Sequence, residues 1–132
     1  MHVLIFGTFD DLHPGHHSYI EQALALGDVT AIVARDANVE RIKGRLPLHD
    51  EQKRMEAIKK NFPQVRVVPG DEKDFLSAIR REEPDILFFG YDQRLPPGIT
   101  EKDLPCPVKR AEPFEPHIHK SSIRRKNMEE SV

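Results

Sequence analysis

The sequence predicts one α/β domain built on a five-stranded parallel sheet flanked by helices. Short β-branched or apolar runs alternate with longer amphipathic segments, the pattern of strands joined by crossover helices. The runs are almost continuously apolar, as in strands buried on both faces. A length of 132 residues falls within the size of a single domain with one core.

The strands are expected at His2–Gly7, Val29–Ala34, Val65–Val68, Asp85–Gly90 and Val108–Ala111. The first helix spans Pro14–Leu26. Proline suits its first turn, Tyr19, Ile20, Ala23, Leu24 and Leu26 form an apolar face, and Gly27 can close it. A second helix takes Asp50 as N-cap and runs to Asn61, with Met55, Ile58 and Phe62 at helical spacing and Pro63 behind. A third runs from Lys73 to Glu82, since Pro84 disfavours helix in the residue before it. A final helix is expected from Ser121, with Arg124–Glu130 as a fraying charged end. Lys43–His49 and the proline-rich Arg94–Pro107 stretch are expected as loops.

Charged residues make up 32% of the chain but nearly cancel, leaving a formal charge of -2. No global field then draws the protein to nucleic acid or to a membrane, and a bound anion must be held locally. Cys106 is the single cysteine, so an internal disulfide is excluded and a reduced cytoplasm is the simplest expectation. Beside Pro105 and Pro107 it reads as a small apolar filler. No apolar run approaches the roughly 20 residues of a membrane span, and residues 1–6 are strand-like without a basic leader, so a soluble, unprocessed protein is expected.

Residues 5–17 carry the chemistry: Ile-Phe-Gly-Thr-Phe-Asp-Asp-Leu-His-Pro-Gly-His-His. A strand ends in Gly7 and a short turn leads into a helix that opens on His13 and His16, at i and i+3 on one side of its first turn. Such a helix start suits phosphate: free backbone N–H groups point outward, the helix dipole favours an anion, and Gly7 lets a ligand approach the strand end. An empty helix N-terminus discourages imidazole protonation and a bound polyphosphate encourages it, so both rings are expected to donate to phosphate oxygens. Gly15 between them leaves room.

The Gly-Thr-Phe-Asp and His-x-Gly-His pattern resembles the cytidylyltransferase-like nucleotidyltransferases, and the similarity extends over most of the chain. Its later elements are Lys43-Gly44-Arg45, Arg54, Gly90-Tyr91-Asp92-Gln93 and Ser121-Ser122-Ile123-Arg124. Val33-Ala34-Arg35-Asp36 and Gly90–Gln93 are most similar to the archaeal-type FAD synthase branch, which adenylylates FMN. Glycerol-3-phosphate cytidylyltransferase and phosphopantetheine adenylyltransferase are neighbouring branches. Two features depart from the pattern. Two serines, Ser121 and Ser122, stand where many members have a Ser-Thr run, so either can take the phosphate-contacting place. No tryptophan follows Asp92, unlike the cytidylyltransferase branch.

The resemblance implies a Rossmann-like domain with its ligand at the carboxyl ends of the strands near the topological switch point. The implied reaction is attack by an acceptor phosphate oxygen on the α-phosphorus of ATP or CTP, with pyrophosphate leaving. An acceptor phosphate is already ionised at pH 7, so alignment and charge stabilisation are the main tasks. It further implies that His13 and His16 serve the α- and β-phosphates and that Gly7, Thr8, Phe9 and Gly90 border the nucleotide. Lys43 would swing in from its loop. Ser121 or Ser122, with Arg124, would hold the β- and γ-phosphates. Asp92 would meet the ribose or base, with the backbone of Phe89–Gln93 deciding base choice. Asp36 and Arg54 are expected toward the acceptor, in a pocket bounded by Asp36–Leu48 and the proline-rich loop. Mg²⁺ would bridge phosphate oxygens, with Asp10 a possible carboxylate near it. A homodimer is expected by resemblance alone.

Two other classes compete with this expectation. His13, His16, His17, His117 and His119 could converge on a metal, but their spacing does not match a structural zinc site. A non-catalytic nucleotide-binding module would keep the fold, and the intact histidine pair, Lys43 and Arg124 argue against it.

Overall fold

The computed structural model describes residues 1–71 and 74–114. The expected last helix, with Ser121, Ser122 and Arg124, lies outside the described residues, as do Lys73, His117 and His119. The chain runs β1 (His2–Gly7), α1 (Pro14–Leu24), β2 (Asp28–Val33), α2 (Asp36–Lys43), α3 (Glu51–Asn61), β3 (Arg66–Pro69), α4 (Phe75–Glu82), β4 (Ile86–Phe89) and β5 (Val108–Arg110). A short 3₁₀ turn, Glu101–Asp103, interrupts the proline-rich segment expected to be all loop.

All five strands are parallel, in the order β3-β2-β1-β4-β5. The chain therefore reverses direction across the sheet between β1 and β4, which opens a crevice at their carboxyl ends. β1 shows why its sequence is continuously apolar. Val3 and Ile5 pack on one face with Ile20 of α1 and Ile58 of α3. Leu4 and Phe6 pack on the other with Ile79 of α4. All of these are buried, so strand alternation selects between two apolar cores rather than between core and water. Cys106 packs partly buried against the second core, and burial pushes its thiol up from the ordinary range.

The elements expected within the described residues are present with shifts of one or two residues at their ends. α1 stops at Leu24 with Ala25 as its C-cap, short of the expected Leu26. α4 begins at Phe75, where the Asp74 side chain accepts from the Leu76 N–H. Asp50 caps α3 as expected, accepting from Lys53 N at 2.8 Å. α2 is the element that sequence pattern misses, and its last residue, Lys43, is helical rather than in a loop. Its sequence offers one buried apolar residue, Val39, and no side-chain cap. Tertiary bonds hold it instead: Asp36 N donates to Glu51 Oε1 at 3.2 Å and Asn38 Nδ2 to the Asp71 carbonyl at 2.9 Å.

Among the described residues, no helix is long and apolar enough to cross a membrane.

Gly27 sits where the chain passes under its own start. A Cβ there would lie 2.2 Å from the Met1 carbonyl oxygen, the group that accepts from Asp28 N. Gly27→Ala should destabilise the fold by about 1–3 kcal/mol through this forced shift; urea denaturation checks it, with an unchanged midpoint against it.

Candidate active site

The crevice between β1 and β4 is built from the Gly7–Pro14 turn. Gly7 ends β1 and its carbonyl accepts from Ala34 N at 2.9 Å. Phe9 and Asp11 both adopt positive φ, 52° and 56°, a conformation that costs a non-glycine residue roughly 1–2 kcal/mol. The Phe9 conformation sends its ring into the core, where it is 2% exposed and lies 6.3 Å from Tyr19 in a stacked arrangement. Expected at the nucleotide, Phe9 thus has its side chain committed to packing, and only its backbone faces the turn.

His13 and His16 cap α1 reciprocally. His13 Nδ1 accepts from Gly15 N at 3.0 Å and from His16 N at 3.4 Å, while His16 Nδ1 accepts from His13 N at 3.3 Å. The rings stack 3.9 Å apart. This corrects the expectation of free backbone donors at the helix start. Pro14 has no N–H, the next two N–H groups serve His13 Nδ1, and His17 N donates to the His13 carbonyl at 3.1 Å. It also changes the electrostatics. With Nδ1 accepting, a neutral ring carries its hydrogen on Nε2 and donates from there without a positive charge. A ring taking a second proton would surrender its half of the cap.

Arg54 was expected near the acceptor, but its side chain is wholly buried beneath the turn. It donates to the Thr8 carbonyl at 2.8 Å, to the His49 carbonyl at 2.9 Å and to Asp36 Oδ1 at 2.6 Å. Asp36 is correspondingly engaged with Arg54, although its side chain remains 31% exposed. A buried guanidinium needs such partners, because an unpaired charge there would cost several kcal/mol. Asp10, considered near a metal, is also occupied: its Oδ2 accepts from Leu48 N at 2.6 Å and its Oδ1 from His49 N at 3.0 Å. Among the described residues, no group of three or more His, Cys, Asp or Glu is placed to hold a metal.

Gln93 closes the crevice floor. Its Nε2 donates to the Phe6 carbonyl at 2.7 Å and its Oε1 accepts from Gly90 N at 2.9 Å, joining the ends of β1 and β4. Arg110 donates to the Gln93 carbonyl at 2.7 Å and to that of Gly90 at 3.2 Å. The Tyr19 hydroxyl donates to the Phe88 carbonyl, and burial pushes that phenol far above its ordinary range, so it stays a donor. Gly90 and Asp92 are thus held on a backbone with little freedom. The sequence singled out the Gly90–Gln93 segment but not the job of Gln93, since a buried amide bridging two strands has no local signature.

Two spaces meet at this crevice. On the α2 and α4 side lies a cavity of about 650 Å³, lined by Gly7, by polar residues that include Thr8, Arg41, Lys43, Asp92 and Arg94 and by apolar Ile32, Val39, Ile42, Phe75 and Leu95. On the α1 side, a recess of about 30 Å³ lies between His13, His16, Gly90 and Asp92. Asp92 borders both. The structure therefore brings together Gly7, Thr8, His13, His16, Lys43, Gly90 and Asp92, and sets Phe9, Asp36 and Arg54 into the frame around them.

The family described as Cytidylyltransferase-like matches residues 4–104. A FAD synthase of Methanosarcina mazei is 44% identical over 103 residues, which cover 77% of this chain and 67% of that protein. A FAD synthase of Methanospirillum hungatei is 40% identical over 121 residues, 91% of this chain and 76% of that one. A FAD synthase of Thermoplasma acidophilum is 29% identical across 98% of this chain and 95% of its own. Among solved structures, a Thermoplasma volcanium protein described as a lipopolysaccharide core biosynthesis protein superposes with a TM-score of 0.74 at 30% identity, covering 86% of this chain and 98% of that one.

Gln93→Leu keeps the side-chain bulk but strands the Phe6 carbonyl and the Gly90 N–H in a buried place. A loss of about 1–3 kcal/mol for each stranded group is expected in denaturant titration. A variant as stable as the parent would show that the bridge contributes nothing.

Proposed function

The chain belongs to the Cytidylyltransferase-like family, and from that premise we propose that it transfers the adenylyl group of ATP to FMN, forming FAD and pyrophosphate. The observation that carries the proposal is the 650 Å³ apolar-walled cavity that opens, at Gly7, Thr8 and Asp92, onto the turn bearing the two histidines. A flat tricyclic ring needs apolar walls and a phosphate needs donors, and the lining of this cavity includes both. A small, fully polar acceptor such as glycerol 3-phosphate would leave those walls facing water. The several archaeal relatives named FAD synthase support the same substrate.

In this mechanism a phosphate oxygen of FMN forms a bond to the α-phosphorus of ATP. The bond from that phosphorus to the α,β-bridging oxygen breaks, and pyrophosphate leaves with the electron pair. Because the nucleophile is already an anion, no residue need take its proton. The Nε2–H groups of His13 and His16 donate to the α- and β-phosphate oxygens, where negative charge grows as the bridge breaks. The cap sets the direction of both donors, and because His16 is buried with its Nε2 closed to solvent, the recess must open for a phosphate oxygen to reach it. The Thr8 hydroxyl and Lys43, both on the cavity border, meet the phosphates from the acceptor side. Asp92 meets the ribose at the junction of the two spaces. Ser121 or Ser122, with Arg124, completes the β- and γ-phosphate contacts. Mg²⁺ bound with ATP would supply charge neutralisation to the phosphates. Both Asp10 oxygens already accept N–H groups, so Asp10 is a poor ligand for it. A homodimer in the cytoplasm completes the proposal and suits soluble phosphorylated substrates; light scattering tests the assembly.

Purified protein given ATP, Mg²⁺ and FMN should produce FAD and pyrophosphate, and CTP with glycerol 3-phosphate should give little product. Chromatography of the flavins decides between them, and FAD at background level would refute the proposal. His13→Asn separates the two jobs of that residue. Asparagine is a favoured N-cap, so the thermal midpoint should hold, while loss of the Nε2 donor should lower turnover by at least ~10²-fold. Near-parental turnover would remove His13 from the chemistry.

A further inference from the structure

We propose that Asp10 is a positioning residue, whose carboxylate pins the segment following Lys43 to the phosphate turn and so sets the acceptor cavity in register with the triphosphate. The inference rests on the function proposed above for its kinetic consequence, though not for its geometry.

The segment between α2 and α3 has little else to hold it. It leaves α2 through Gly44 in the left-handed region at φ 78°, and Leu46 and Leu48 are 59% and 74% exposed. Apolar burial therefore contributes almost nothing to its placement. What fixes its far end is polar. Asp10 takes the N–H groups of Leu48 and His49 on separate oxygens, across 38 and 39 residues of sequence. Arg54 then ties the His49 carbonyl to that of Thr8, two residues before Asp10. The turn at 8–10 and the segment at 48–49 thus share two anchors, one anionic and one cationic.

A carboxylate beside a polyphosphate site would ordinarily repel its ligand. Here its charge is spent on two backbone N–H groups, each such charge-assisted bond being stronger than a neutral one. The turn that carries Asp10 also carries Thr8 and leads directly into His13. The anchored segment leads back through Gly44 to Lys43 and Ile42 on the cavity border. Loosening Asp10 therefore changes the spacing between the two substrates' sites without removing any group that touches either.

The test is Asp10→Asn in the full chain. The amide keeps one acceptor oxygen and turns an N–H donor toward the second backbone N–H. In the parent, the Leu48 and His49 amides should be protected from hydrogen exchange, and in the variant at least one should exchange about tenfold faster or more. The KM for FMN should rise about tenfold, while the Mg²⁺ concentration giving half-maximal rate stays unchanged. Rapid exchange of both amides in the parent overturns the anchor. An unchanged KM for FMN overturns the kinetic role, and a shifted Mg²⁺ requirement with unaltered KM identifies Asp10 as a metal ligand instead. Should the parent form no FAD, the function proposal fails separately, and the exchange comparison still decides whether Asp10 anchors the segment.

Discussion

Everything in this site depends on how the last carbonyl groups of the first strand find partners. At a switch point the neighbouring chains diverge, so the ladder that would satisfy these groups runs out just where a ligand must approach. A buried carbonyl without a partner costs free energy comparable to a lost hydrogen bond. The chain solves this three ways in succession: the Phe6 carbonyl takes the Gln93 amide, that of Gly7 takes the Ala34 N–H, and that of Thr8 takes the Arg54 guanidinium. The crevice mouth is left open, and the turn above it is held rigidly enough to keep two non-glycine residues at positive φ.

The histidines show the same economy at the helix start. A helix N-terminus presents donors that need acceptors, and a phosphate or a cap can supply them. Here the imidazoles themselves do so, each through Nδ1, and the donor capacity reappears on Nε2. The helix thus gains its cap at all times instead of only when ligand is bound. In the proposed reaction these Nε2 groups are the donors offered to the phosphates, their direction set by the cap.

The two sides of the crevice divide the labour of recognition. The α1 side is backbone and imidazole, held by buried polar bonds. The other side is a large apolar cavity formed by α2, α4 and the proline-rich segment. Family members can keep the first and vary the second, and for this reason the reaction type is far easier to establish than the acceptor. Relatives named FAD synthase and a superposable structure with a different description share the same fold.

The strands, α1, α3 and α4 were legible because their evidence is local: apolar runs, helical spacing and capping side chains lie within a few residues of one another. The glycine and histidine motif was legible for the same reason, since a strand end, a turn and a helix start follow in thirteen residues, 5–17. α2 was not, because it is held by Glu51 and Asp71 from other elements rather than by its own pattern. Nor were the true places of Asp10, Arg54 and Gln93. A charged or amide side chain looks equally suited to solvent, ligand or core until the fold brings a particular carbonyl or N–H to it. Sequence by itself determined the sheet, the phosphate turn and the kind of reaction. Tertiary structure alone decided which polar residues line the crevice and which are spent holding it together, because that choice depends on partners 38 to 87 residues away.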